Sequence, residues 1–258
     1  MLKNTYDDTT IDYLVPFRIL GYYRFHCIIG LVVKECIPEM QEQINSAIKI
    51  LAKKYGNVHP FLKHQNAFEF IIAVILSAQT TDNLVNKVTP DLFSRFPDPE
   101  TLANAKIEDV ARIIKSINYY KTKARNIIQT AQILNIKFQG KVPDNMDDLL
   151  SLPGVGRKVA NVILSDYYKK PQGFVVDTHI KRVSYRLGWT KHTNPEKIER
   201  DLIHIIPKKY WTSLPKQLIA LGREYCHPKN PDCSHCPLTD VCQKNLLITT
   251  KKLNEYTY

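Results

Sequence analysis

Leu152-Pro153-Gly154-Val155-Gly156-Arg157-Lys158, answered nineteen residues later by Asp177, is the stretch around which the rest of this chain arranges itself. Two glycines flanking Val155 permit a tight, left-handed turn that a β-carbon would obstruct, and they let the backbone come close to another surface. From Val155 onward, Val159, Val162 and Ile163 recur at helical spacing. The turn therefore delivers a helix N-terminus, whose unpaired N–H groups and positive dipole end suit a phosphate. A nucleotide-hydrolysing P-loop is excluded, because the G-x-x-x-x-G-K-[ST] spacing is missing and Val159 stands where a magnesium-binding hydroxyl is required. What remains is a phosphate grip, an amine and a carboxylate within one short segment.

Charge agrees with a polyanionic partner. Lys and Arg number 36 against 25 Asp and Glu, a formal +11 with a sequence pI of about 9.3. The excess concentrates after Asp177, where fourteen basic side chains stand against seven acidic ones. With 258 residues the chain can bury a substantial core in one domain or two small ones. Of six cysteines, Cys27 and Cys36 stand apart near the start while the other four fall between 226 and 242. With no secretory signal, that clustering speaks for a metal site over a disulfide framework.

The organisation is helical nearly throughout. Ile44, Ile48 and Leu51 mark one apolar stripe, Phe68 to Leu76 another. Similar spacing predicts helices around Asp98 to Ser116, Lys123 to Leu134, Met146 to Leu152, Arg157 to Tyr168, Thr178 to Leu187, Pro195 to Ile206 and Lys216 to Tyr225. Asp98-Pro99-Glu100, Asn194-Pro195-Glu196 and Asp177 before Thr178 supply caps. Alternating strand patterns are scarce, so the fold class is all-α. Ile19 to Val33 is apolar and aromatic, but Arg24 and His26 interrupt it well short of the roughly 20 residues that span a bilayer. No membrane helix, and a cytoplasmic protein, are expected.

Leu152 to Asn161, together with Val176-Asp177-Thr178-His179, resembles the helix-hairpin-helix and following aspartate loop of the base-excision DNA glycosylases, most like the endonuclease III branch. The resemblance spans about residues 41 to 243. It implies two helical domains flanking a DNA-binding cleft. Residues 66–171 form the bundle that ends in the hairpin, and residues 40–65 join 172–245 in an iron-sulfur cluster domain. Residues 1–39 are expected as a non-core extension and 246–258 as a tail.

Cys226-x₆-Cys233-x₂-Cys236-x₅-Cys242 can wrap one compact centre, since thiolates are soft ligands suited to zinc or iron-sulfur. Spacing leaves the two open, and His227 or His235 can compete as ligands. The resemblance implies [4Fe–4S]. Only Lys229 is cationic between Cys226 and Cys233, so phosphate contact falls to flanking Arg223 and Lys244.

For the site, the resemblance implies Lys158 as the amine nucleophile on the sugar and Asp177 as its assisting carboxylate. Each has a plainer reading, a phosphate-binding lysine and a helix N-cap. Gly154, Val155, Gly156 and Arg157 become the phosphate anchor. Ser77-Ala78-Gln79-Thr80-Thr81-Asp82 resembles the motif whose glutamine, here Gln79, fills the gap opposite an extruded base; Asp82 lines the lesion pocket or begins a helix. At Asn118-Tyr119-Tyr120 the chain departs from Gly-Leu-Tyr, so Tyr119 replaces an apolar wedge. Arg112, Lys115, Lys121, Lys123 and Arg125 surround it as candidate phosphate contacts.

The implied activity is a bifunctional glycosylase/lyase acting, as a monomer, on duplex DNA with damaged pyrimidines or abasic sites. The alternatives are a glycosylase for adenine or mismatches and a non-enzymatic hairpin DNA-binding protein.

Overall fold

In the computed structural model, residues 33–56 and 58–243 are described, with side chains from Met40 onward. The apolar stretch from Ile19 with Arg24, His26 and Cys27, the side chain of Cys36, Lys244 and the tail 246–258 lie outside the described residues. Eleven α-helices and no strands make up the described chain.

The long first helix α1 (Val33–Tyr55) is followed by α2 (Ala67–Ser77), α3 (Asp82–Arg95), α4 (Pro99–Ala103), α5 (Ile107–Ile113) and α6 (Tyr120–Phe138). Then come α7 (Met146–Leu150), α8 (Arg157–Val162), α9 (Thr178–Arg186), α10 (Pro195–Ile205) and α11 (Leu214–Glu224). Several of their starts follow from capping chemistry. Asp98 and Thr101 form a reciprocal capping box on α4, Asn194 accepts from the N–H groups of Glu196 and Lys197, and the Asp177 carboxylate accepts from Ile180 N at 2.8 Å.

Two apolar cores organise these helices. One gathers α2 to α8 around Phe70, Ile71, Leu76, Leu92, Ile114, Leu134, Leu149 and Leu164. In the other, Ile44, Ile48 and Leu51 of α1 pack with Phe174, Ile180, Leu202, Leu218 and Leu238, so α1 completes a core whose other members lie more than a hundred residues away. Polar bonds join the two: Lys216 Nζ meets Asp166 Oδ1 at 3.1 Å, and Arg223 Nη2 meets Asp82 Oδ2 at 2.6 Å.

Three stretches differ from the sequence expectation. Asp98 to Ser116 is two short helices: Asn104 caps the first, its backbone N–H and its side-chain amide both donating to Glu100 O at 3.3 and 3.0 Å, and the second begins at Ile107. Arg157 to Tyr168 begins as α8 and passes into a π-helical turn at Ile163–Tyr167. Helix α3 was foreshadowed only by its first residue: Pro90 interrupts its pattern of donors, and the helix nonetheless continues around it.

Candidate active site and cysteine loop

The hairpin turn is held from beneath by α6. Thr130 Oγ1 donates to Pro153 O at 3.0 Å, and a Cβ on Gly154 would stand 3.1 Å from both Asn126 Nδ2 and Ile75 Cγ2. Gly154 has φ +79°, so both conformation and packing require glycine there. Gly156 is different. Its φ of −90° is ordinary, and nothing lies within 4 Å of where its Cβ would be. Only one of the two glycines therefore adopts the left-handed turn; the other leaves an open approach to the first N–H groups of α8. Val155 is buried between them as the anchor of the turn.

Lys158 is the second residue of α8, exposed, and its amine makes no hydrogen bond or ion pair with any described residue. Arg157 beside it is exposed as well. Asp177 lies at the start of α9, half-buried, with one carboxylate oxygen engaged as the helix cap. No ion pair joins Lys158 to Asp177, so both side chains remain available to a third group. The cap is thus real, and it fixes the carboxylate at the helix start where the N-terminal N–H groups stabilise its charge.

Further residues gather beneath the hairpin. A Cβ on Gly173 would overlap Glu199 Oε1 and approach Asn161 Nδ2 to 2.8 Å, and the buried Asn161 Oδ1 and Glu199 Oε1 have no hydrogen-bond partner among the described residues. Burial raises the Glu199 carboxyl above the usual carboxylate range, with the Arg157 charge opposing the rise.

Gln79 and Tyr119 are both exposed and both left-handed, with φ +55° and +58°. Tyr119 is 67% exposed, so its ring is no part of either core. Asn118 Nδ2 donates to Gln79 O at 2.6 Å and so ties the two turns together. Asp82 begins α3 and pairs with Arg223. The surrounding cations divide. Lys115, Lys121 and Arg125 are exposed; Arg112 reaches Asp109 at 3.3 Å. Lys123 is not a surface cation at all: it is 6% exposed and its ammonium bonds to Leu76 O, Ala78 O and Thr80 Oγ1.

Cys226, Cys233, Cys236 and Cys242 line a single cavity with Val183, Leu187, Leu221 and Leu238, and none forms a disulfide. Burial first, then the three neighbouring thiols, push the Cys236 thiol up to about 11. Four thiolates in that volume repel one another, and a polycationic centre is what would hold them all ionised. The described residues hold no tight trio of His, Cys, Asp or Glu of the kind a single metal ion needs. His235 instead turns its ring to Asp232 Oδ1 at 2.8 Å. Four soft thiols converging on one cavity fit either zinc or an iron-sulfur centre.

Sequence reasoning missed what anchors this loop. Arg182 donates to Cys226 O at 2.8 Å and Gly222 O at 3.0 Å; Arg186 donates to His227 O at 2.7 Å, Pro228 O at 3.0 Å and Cys226 Sγ at 3.3 Å. Their i, i+4 spacing on α9 was the available signal, but a basic stripe after Asp177 reads equally well as a phosphate face. Arg223, assigned to phosphate from sequence, is occupied by Asp82 and stacks 4.3 Å from the Phe61 ring centroid.

A glycine turn gripped by α6 that opens a helix with an exposed lysine defines a helix-hairpin-helix protein. The pattern of the HhH-GPD superfamily base excision DNA repair protein matches residues 72–208. Endonuclease III of Synechocystis sp. is 41% identical over 202 residues, covering 78% of this chain and 92% of that protein. Endonuclease III of Escherichia coli (strain K12) is 38% identical over 199 residues, 76% of this chain and 94% of its own. A solved structure described as a trapped endonuclease III–DNA covalent intermediate matches with a TM-score of 0.73 at 41% identity, over 79% of this chain and 96% of that one. The chain belongs to the endonuclease III family of base excision DNA repair glycosylase/lyases.

No helix among the described residues is long and apolar enough to cross a membrane.

Proposed function

We propose that this protein removes oxidised pyrimidines, thymine glycol as the type, from duplex DNA and then cuts the strand on the 3′ side of the abasic sugar. The observation that carries the reading is the exposed amine of Lys158, bonded to no described residue, in the first turn of the hairpin's second helix. Lys158 Nζ attacks C1′; the glycosidic bond breaks and the base leaves with that electron pair, taking a proton. Loss of a proton from nitrogen and opening of the sugar ring leave a Schiff base between Lys158 and C1′. Removal of a C2′ proton then expels the 3′ phosphate by β-elimination. Asp177, which caps α9 with one carboxylate oxygen and has the other to spare, stabilises positive charge on the sugar or accepts the proton.

Around that centre, Gly154, Val155, Gly156 and Arg157 form the phosphate anchor, supported by the open space above Gly156. Gln79 fills the gap left by the extruded base, and Tyr119 stacks from the other side. The two apolar cores are read as two domains flanking the DNA cleft, and the protein works as a monomer. Cys226, Cys233, Cys236 and Cys242 hold a [4Fe–4S] cluster, which supplies a rigid brace for the loop; the bond cleavage needs no electron transfer.

Borohydride trapping tests the reading. Wild-type protein should become covalently linked to a duplex carrying one abasic site, and Lys158→Gln should bind that duplex without becoming linked. A wild type that never traps contradicts the lyase assignment. A panel of duplexes with one damaged base each decides the lesion: preference for adenine opposite 8-oxoguanine would replace the pyrimidine assignment.

A further inference from the structure

A lysine with no carboxylate beside it is an unusual occupant of a protein interior, since removing an ammonium from water costs several kcal/mol without compensation. Lys123 meets that cost in a specific place. Helix α2 ends at Ser77 without a basic residue in its last turn, and its terminal carbonyls have no intrahelical partner. Lys123 reaches in from α6 and donates to Leu76 O at 2.8 Å and Ala78 O at 2.6 Å, supplying the cation and the donors that the helix end lacks. A third bond, to Thr80 Oγ1 at 3.2 Å, falls on the far side of Gln79. The ammonium therefore brackets Gln79, with one acceptor immediately before it and one immediately after.

The other end of the same residue is equally placed. Lys123 N donates to Tyr119 O at 3.0 Å, the first bond of α6, and Tyr119 is its left-handed cap. Asn118 closes the loop between the two by donating to Gln79 O at 2.6 Å. Left-handed backbone at a non-glycine residue carries strain on the order of 1 kcal/mol and persists where its surroundings enforce it. Here two such residues, both exposed, meet at one residue: the Lys123 ammonium holds the Gln79 turn, the Lys123 backbone N–H holds Tyr119 O, and Asn118, next to Tyr119, ties back to Gln79. Burial holds the Lys123 amine below the ordinary lysine range, yet its three acceptors all favour the charged form.

We propose that Lys123 is a positioning residue that couples the two gap-facing residues, holding Gln79 and Tyr119 in register so that they enter duplex DNA together. Asn118 is the second tie of the same clamp. Lys123 touches no DNA; it acts through the backbone of the two turns. The inference rests on the glycosylase/lyase reading, and the test separates the two.

Single-turnover cleavage is measured on an abasic site placed in a duplex and on the same strand unpaired, where no gap has to be filled. A duplex with 2-aminopurine opposite the abasic site reports entry into the stack as a fluorescence change. Lys123→Met should slow duplex cleavage by up to about 100-fold, the scale of a small misplacement in an active site, and leave single-strand cleavage within about threefold of wild type. Asn118→Ala, at an exposed position, should slow duplex cleavage by about three- to tenfold. Both should weaken the fluorescence change. Lys123→Met combined with Gln79→Ala should be no slower than Gln79→Ala alone, the non-additivity expected of residues acting as one unit.

Duplex rates and fluorescence at wild-type level in both single variants overturn the proposal. So does an equal loss on both substrates in folded Lys123→Met, which marks a general structural role, and so does an additive double variant. If Lys123→Met does not fold, Asn118→Ala decides alone. A wild type that cuts neither substrate removes the lyase reading and this inference with it.

Discussion

Two lysines near the starts of two helices have opposite fates in this protein. Lys158, second in α8, is exposed and bonds to no described residue, whereas Lys123, fourth in α6, is buried with its charge shared among three oxygens. Both follow a tight turn, and both have basic neighbours in sequence. The difference is set by what faces them. The end of α2 presents carbonyls to Lys123, while the opening of α8 presents only N–H groups, which repel an ammonium and leave it to an outside partner. The same contrast recurs among the arginines: Arg157 is exposed, and Arg182 and Arg186 are buried in bonds to the cysteine loop.

The largest expected effect separates the lysines by activity. Lys158→Gln should reduce strand cleavage by at least about 10⁴-fold, as loss of a nucleophile does. Its unfolding free energy should stay within about 0.5 kcal/mol of wild type, because nothing in the fold depends on that amine. A Lys158→Gln protein that melts markedly earlier in denaturant titration breaks the contrast.

Among the arginines the balance reverses. Arg182→Ala removes a buried guanidinium and strands the carbonyls of Cys226 and Gly222, so it should cost roughly 2–4 kcal/mol of stability and lower the metal content of the purified protein. Arg157→Ala should leave stability and metal content unchanged and reduce the salt slope of DNA binding by about one. Chemical denaturation, metal analysis and binding at several ionic strengths check each part.

Within the hairpin, the two glycines form a finer pair. Gly154→Ala meets both a left-handed φ and close neighbours, and should cost about 1–3 kcal/mol. Gly156→Ala has neither obstacle and should stay within about 0.5 kcal/mol of wild type in the same denaturation measurement. Equal costs would contradict the division of labour between them.

The smallest effect lies at alkaline pH. Burial raises the Tyr168 phenol to about 12 from an ordinary value near 10, and its hydroxyl donates to Val142 O at 2.5 Å. The stability this protonated phenol contributes is complete below pH 10 and is lost as pH rises toward 12. Tyr168→Phe should therefore flatten the fall in melting temperature across that window, and an unchanged pH profile would contradict it.

How much of this was legible in the sequence follows from which interactions are local. The caps at Asp98, Asp177 and Asn194, the stripe Ile44, Ile48, Leu51 and the hairpin turn are set within a few residues, and they were read from spacing alone. The break at Asn104 and the π turn after Val162 depend on single side-chain and backbone bonds that periodicity does not carry. Charged side chains were the least legible. Lys123, Arg182, Arg186 and Arg223 look like surface cations in sequence, and each is committed to a carbonyl, thiol or carboxylate contributed by a distant segment.

The central claim is that one particular amine joins the sugar. Borohydride-reduced protein–DNA adduct, digested and mapped by mass spectrometry, tests it most directly. The sugar remnant should be found on the peptide containing Lys158, and an adduct located on any other amine, Lys181 or the N-terminus for example, would contradict the account.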